Sequence, residues 1–323
     1  MDILRIASYH RRDYDLAVLR INPGDHDQVR SSLLSPSRDP SSLGHLETLS
    51  LEILHEICLY LDIQSLFQFR HTNRRSQQLV SATYPYKPVI HHALEALCII
   101  LRTGAASYFT LPDLFDVLCT RDCYFCGAFS GFLFLPSFKT CCFTCIREDA
   151  LPCAISFPAY MRRPGVPSDF VPTMRALPGV YSLKEIPWKA SEARVRLRTS
   201  DYVWPGKITR KRRSPTLSYV SSTVLPYFDP GSGAVQGGVS CSGCQVALEK
   251  KLSGERVESR DTELRDKVYS QGEFLAHFKD CQGARELWEL SGQGISAADV
   301  SEFVRCRGYF GKRDVDIAFN PCD

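Results

Sequence analysis

Two cysteine pairs, Cys123-Tyr-Phe-Cys126 and Cys142-Phe-Thr-Cys145, are separated by fifteen residues, and no other feature restricts the fold as strongly. Each Cys-x-x-Cys turn brings two sulfurs to one point, and Gly127 suits the tight reversal after the first pair. Four thiolates at this spacing make a tetrahedral zinc site with every position filled by protein, which is the structural arrangement and not the catalytic one. Between the pairs, Phe129 to Phe138 partly alternates and contains Gly131 and Pro136, so it reads as a short hairpin, with Cys145 entering a helix. The expected unit is a treble clef or a zinc ribbon.

A second set consists of Cys241-Ser-Gly-Cys244 and, after a gap of thirty-two residues, His277 and Cys281. Residues four apart share a helix face, so His277 and Cys281 can close a tetrahedron with the Cys241–Cys244 turn. Two structural zinc ions are therefore expected, one on Cys123, Cys126, Cys142 and Cys145, the other on Cys241, Cys244, His277 and Cys281. The second helix bears Glu273, Asp280 and Glu286, acidic groups that would repel phosphate, which argues against a finger that reads DNA. Of the fourteen cysteines, Cys119, Cys141 and Cys153 are left over near the first set. They are too few to build the eight interleaved ligands of a two-zinc RING unit and read as structural thiols. Whether one of them replaces a ligand is left open by spacing.

Upstream, residues 46 to 80 carry apolar side chains at Leu49, Ile53, Leu54, Ile57 and Leu61, then Leu66 and Phe69, then Leu79 and Val80. This is a helical period broken twice by polar steps, and it predicts three short helices. A unit of about 35 residues is too small to stabilise itself, so its apolar faces need something outside it. The pattern Leu49, Glu52, Ile53, Leu54, Ile57, Leu61, Asp62, Ser65, Leu66, Arg70, Arg74 and Arg75 resembles an F-box, with Ser50 where a proline is usual.

The order of later motifs looks like that of a group of fungal F-box proteins with a cysteine-rich zinc-binding region. It runs through His92-Ala93, Leu118 to Thr120, Cys123 to Gly127, Gly131 to Leu135, Cys142 to Cys145, Met174 to Ser182 and Phe274 to Cys281. That resemblance implies docking on the Skp adaptor of a Skp-cullin-F-box ubiquitin ligase, and through it on a cullin, with the rest of the chain selecting an unidentified protein substrate. The docking set it implies is Leu49, Leu51, Glu52, Ile53, Leu54, Ile57, Leu61, Leu66 and Phe69, shared between the partner interface and a small internal core.

The expected fold is mainly α with small α+β zinc modules. Residues 1–44 read as a flexible arm, 45–83 as the F-box, and 84–155 as helices leading into the four-cysteine module. Residues 156–238 read as a Pro-rich irregular linker, 239–290 as the Cys/Cys/His/Cys helical module, and 291–323 as a tail with one short helix over Ser296 to Val304. Within 84–155, one helix is expected to end at Gly104 and a second to start from a Thr110/Asp113 capping box.

A net charge of +3 and a pI near 8.2 are too mild to imply nucleic-acid binding. The basic run Arg210 to Arg213 reads as a solvated loop, with an import signal or a nucleic-acid contact as the sharper possibility. No apolar run is long enough to span a membrane, so the cytoplasm, the nucleus or both are expected. His55-Glu56 lacks the second histidine of a zinc protease because Leu59 stands there, and Gly238-Val-Ser240-Cys-Ser242 fails the nucleophile-elbow pattern. The chain reads as a non-catalytic adaptor, the alternative being a zinc-stabilised nuclear regulator.

Overall fold

The computed structural model describes residues 2–21, 23–35, 42–148, 151, 173–175, 177, 194–196, 218–253 and 257–308. The basic run Arg210 to Arg213, Cys153 and most of the Pro-rich stretch lie outside these. The described residues are mostly helical, with short strands, as expected from the apolar periodicities. No helix among them is long and apolar enough to cross a membrane.

The N-terminal segment differs from the flexible arm expected for residues 1–44. It forms α1 (Asp2–Ala7), β1 (Ser8–Tyr9), α2 (Arg12–Leu16) and α3 (Pro23–Leu34). Ile6, Ala7, Tyr14, Val18 and Leu19 are buried. Charges between these residues masked the apolar pattern, and the structure shows where those charges go: Arg11 pairs with Asp13, and Arg20 with Glu95.

The expected helical trio is α4 (Leu51–Tyr60), α5 (Ile63–Arg70) and α6 (Arg74–Ala82). Side-chain caps set two of its starts, with Asp62 accepting from the Ser65 amide at 2.9 Å and Asn73 from the Ser76 amide at 2.8 Å. The single helix expected to end at Gly104 is two, α7 (Tyr86–His92) and α8 (Leu94–Thr103), because Ala93 leaves the helical region at φ −122°, ψ 21°. Gly104 does cap α8, at φ +77°. The Thr110/Asp113 capping box opens α9 (Leu111–Leu118) as expected.

Next come β2 (Phe132–Phe134), β3 (Lys139–Cys141) and α10 (Phe143–Arg147), then the isolated pair β4 (Thr173–Arg175) and β5 (Arg194–Arg196). β6 (Ser222–Val224) comes from within the supposed linker and joins a three-stranded antiparallel sheet in the order β3-β2-β6. Leu133 is opposite Thr140 on one side and Thr223 on the other. The Leu19 amide bonds to the Ser222 carbonyl at 2.9 Å, so the N-terminal segment covers the free edge of β6.

A small hairpin of β7 (Tyr227–Phe228) and β8 (Val235–Gln236) leads to β9 (Ser240–Cys241), which pairs with β1. The chain continues through α11 (Ser242–Leu252), α12 (Ser259–Asp266), α13 (Gln271–Asp280), α14 (Gln282–Leu290) and α15 (Glu302–Arg305). The last helix starts later than the one expected over Ser296 to Val304, because Ser301 is the residue that caps it.

One apolar core runs without interruption from Tyr14 and Leu19 through Ile63, Leu66, Leu79 and Val80 to Ile90, Leu97, Leu114, Leu133 and Phe134. The trio is therefore built into the main core on one side. A smaller core of Ala7, Cys241, Tyr269, Phe274 and Ala284 lies under the second cysteine set.

Candidate functional site

The first cluster forms as the spacing requires. The Cys123–Gly127 turn closes with a bond from the Gly127 amide to the Cys123 carbonyl at 2.8 Å, and Gly127 takes φ +75°. The hairpin β2–β3 then returns the chain to Cys142, which caps α10 by accepting from the Cys145 amide at 3.4 Å. The fold of this unit is a treble-clef-like sequence of turn, hairpin and helix start.

All four sulfurs lie within 4.8 Å of one another. Cys123 and Cys145 are 3.8 Å apart, and Cys126 and Cys142 are 3.5 Å apart. A tetrahedral ion bonded to sulfur at about 2.3 Å needs an S···S edge of about 3.8 Å, so the donor set fits such an ion.

In the second cluster, Cys241 ends β9 and caps α11, accepting from the Cys244 amide at 3.4 Å. His277 comes from the last turn of α13, and Cys281 is the residue between α13 and α14. The Sγ of Cys281 is 3.7 Å from those of Cys241 and Cys244, and Cys244 Sγ is 3.4 Å from His277 Nε2. The corresponding S···N edge for a tetrahedral ion is about 3.6 Å. Tyr269 stacks on the His277 ring at 4.8 Å and fixes its plane.

Crowding controls the protonation of both clusters. Hydrogen bonding with Cys142 and Cys145 holds the Cys123 pKa down to about 2, while the same bonding pushes Cys145 far up. Cys281 is held low in the same way by Cys241 and Cys244, and Cys244 is raised. Without a cation, one thiolate suppresses ionisation of its neighbours; a divalent ion removes that repulsion and releases their protons. Cys141 is fully buried and stays a thiol, its pKa raised by desolvation. Cys119, at the end of α9, is raised by burial as well, and neither belongs to a cluster.

An unforeseen clamp joins the two clusters. Tyr14 stacks on Phe143, inside the Cys142–Cys145 turn, with ring centroids 3.8 Å apart and planes at 12°. Arg147 of α10 and Arg265 both pair with Asp266, and Arg11 approaches the same carboxylate at 3.6 Å. These partners hold Asp266 below the ordinary carboxylate range although its burial alone would raise it. The clustered charges between Tyr9 and Leu16 give no sequence signal of this clamp.

The nine residues expected to dock fall into two groups. Leu54 and Leu66 are buried, and Leu49, Leu61 and Phe69 pack half-buried on the main core. Leu51 (49% exposed), Ile53 (50%), Ile57 (43%) and Glu52 face outward from α4. Tyr60, 81% exposed, extends the Ile53–Ile57 stripe by one turn, and Leu46 precedes it; sequence reasoning named neither as a docking residue. An α4 with one face sealed and an apolar stripe left open is what a partner-binding helix needs.

Residues 46–87 match the F-box domain family. This stretch is an F-box domain. Searches among curated proteins and among solved structures each gave no match to the chain. In the F-box, Ser50 takes the extended conformation of an N-cap at φ −66°, ψ 157°, so serine there starts α4 without a proline.

Proposed function

We propose that this chain is a non-catalytic substrate adaptor of a Skp-cullin-F-box ubiquitin ligase, with its two sulfur clusters each holding one structural zinc ion. The observation that carries the reading is the F-box at residues 46–87, whose α4 leaves Leu51, Ile53, Ile57 and Tyr60 open while Leu54 and Cys58 are sealed inward. In this reading the open stripe docks on the Skp adaptor, which links it to a cullin, and the zinc-stabilised region beyond residue 118 presents a protein client. The ligase works in the cytoplasm, the nucleus or both.

Zinc suits the donor sets because thiolate and imidazole at tetrahedral spacing favour it, and four protein ligands leave no position for water. Zinc would supply charge neutralisation and cross-linking, not reaction chemistry. Cys123, Cys126, Cys142 and Cys145 would tie hairpin to helix, and Cys241, Cys244, His277 and Cys281 would tie α11 to the α13–α14 junction.

The test is capture of the purified Skp adaptor by the full chain. Ile53→Asp with Ile57→Asp is expected to abolish capture while far-ultraviolet circular dichroism and metal content stay unchanged. Leu54→Asp cannot serve, because it buries a charge in the core and unfolds the domain. Undiminished capture by the folded double variant would refute the docking face.

A further inference from the structure

The donors of the two clusters are not equally sheltered. In the first, Cys123, Cys142 and Cys145 are 2%, 7% and 4% exposed, whereas Cys126 lies open to solvent. In the second, Cys241 is buried and Cys244, His277 and Cys281 are half-buried, so no donor there is open in the same way. The Tyr269 ring also lies across His277.

A cleft of about 230 Å³ borders Cys126 and reaches Cys142, with Ala128, Phe129 and Val268 on its wall. That volume is below the roughly 300–1,000 Å³ of sites that take drug-sized ligands, and it admits a small solute.

Exposure alone would make Cys126 a surface thiol and nothing more. Two further features set it apart. Cys126 is deprotonated when the cluster holds a divalent ion, and a thiolate, not a thiol, is the nucleophile. The Sγ of Cys142 is only 3.5 Å from that of Cys126, while Cys142 itself is too buried to meet a solute first. An accessible thiolate beside a second, resolving cysteine is the arrangement of a redox-sensing site.

We propose that Cys126 is an oxidation site for hydrogen peroxide, with Cys142 as its resolving partner, and that the Cys126–Cys142 disulfide opens the first cluster and releases its ion. The proposal rests on the zinc reading only in taking that cluster to be filled. The Cys126 thiolate attacks one peroxide oxygen, the O–O bond breaks, and hydroxide leaves, giving the sulfenic acid. The Cys142 thiolate then attacks the Cys126 sulfur, forming the S–S bond and expelling a second hydroxide. The two sulfurs together lose two electrons, and peroxide is reduced to two hydroxides that solvent protonates. Cys123 and Cys145 are then the only donors left, too few for a structural zinc site. Cys142 also caps α10, whose Arg147 pairs with Asp266, so the change falls where the first module meets the second.

The experiment treats the zinc-loaded full chain with a stoichiometric amount of hydrogen peroxide. Zinc release is read with a coloured chelator, and peptide mass spectrometry maps disulfides and a sulfenic-acid trap. Loss of the first zinc with retention of the second, the trap on Cys126 and a Cys126–Cys142 disulfide are expected, and a reductant with added zinc should restore both ions. Cys126→His keeps four zinc-type donors without the reactive sulfur, so it should hold its zinc under the same treatment. Cys306→Ser, which removes a half-buried thiol outside both clusters, should release zinc as wild type does. If the histidine variant fails to load, the wild-type map decides. Earlier loss of the second zinc, a trap or disulfide that omits Cys126, slower release in Cys306→Ser, or no release from the loaded chain would overturn the proposal. An untreated chain with no zinc in its first cluster would overturn the zinc reading instead, and the trap would still decide whether Cys126 is the oxidation site.

Discussion

Replacing Tyr14 with alanine should loosen both sulfur clusters, although Tyr14 ligates in neither. Its ring is 5% exposed, stacked on Phe143 on one side, and has the Arg11 guanidinium 3.9 Å from its centroid. Its hydroxyl donates to the Asp266 carbonyl at 3.3 Å, two residues before the segment that leads to Tyr269 and His277. Truncating a buried aromatic costs about 3–5 kcal/mol, a figure that includes the cavity left behind. The stacking geometry itself accounts for roughly 0.5–1.5 kcal/mol of this. Tyr14→Phe removes only a long hydrogen bond and should cost about 1 kcal/mol or less.

Urea unfolding of the zinc-loaded chain measures the first quantity, and the rate of zinc transfer to a coloured chelator measures the second. A loss of about 3 kcal/mol would be a large share of the roughly 5–15 kcal/mol by which domains are stable. Faster release from both sites is expected in Tyr14→Ala, with Tyr14→Phe close to wild type. An alanine variant within about 1 kcal/mol of wild type, or release accelerated at one site alone, would refute the clamp.

Elemental analysis should find two zinc ions per chain, falling to one in Cys123→Ser/Cys142→Ser and to one in Cys241→Ser/Cys281→Ser; retention of two in either variant would exclude that cluster. Gly243→Ala should destabilise the second module, since a Cβ there would clash with the Ala284 backbone where α11 meets α14; the readout is selective loss of the second zinc on mild heating, and undisturbed retention would contradict that close approach. His10 should make stability fall as pH rises past its ordinary value. Burial would lower its pKa, but the Asp15 hydrogen bond and charge outweigh this and raise it. Its contribution is therefore complete below the unfolded value near 6.5 and lost as pH rises through the folded value. Unfolding free energy measured from pH 6 to 9 should fall in wild type and stay flatter in His10→Gln, with parallel curves counting against the pair.

The parts legible in the sequence were those with a short repeat distance. Cys-x-x-Cys spacing located six of the eight donor atoms that the structure gathers into two clusters, because a tight turn leaves the paired ligands little freedom, and the helical spacing of His277 and Cys281 located the other two. Capping residues Thr110 and Asp113 marked α9 by a local bond. The N-terminal segment was illegible because its partners are distant: β1 pairs with β9, and Leu19 with β6, more than two hundred residues along the chain. Nothing in the local pattern around Tyr14 announces a stack on Phe143. The division of α4 was half legible, since the apolar period places two stripes on the helix and only packing shows which one α6 and the core cover.

The uninterrupted core changes what the F-box can do. A helical trio too small to stand alone needs something outside it to cover its apolar faces. Here the Ile63 amide bonds to the Phe109 carbonyl at 2.8 Å, and Phe109 stacks on Phe138 of the β2–β3 hairpin at 3.9 Å. That hairpin delivers Cys142, Phe143 stacks on Tyr14, and Asp266 links α10 to the second module. Domains joined by small polar interfaces move relative to one another, whereas a shared apolar core resists such motion. The α4 stripe and the four-cysteine cluster, both built on that core, are therefore held in one fixed relation, whereas the second module keeps a smaller core of its own and is tied in through Asp266.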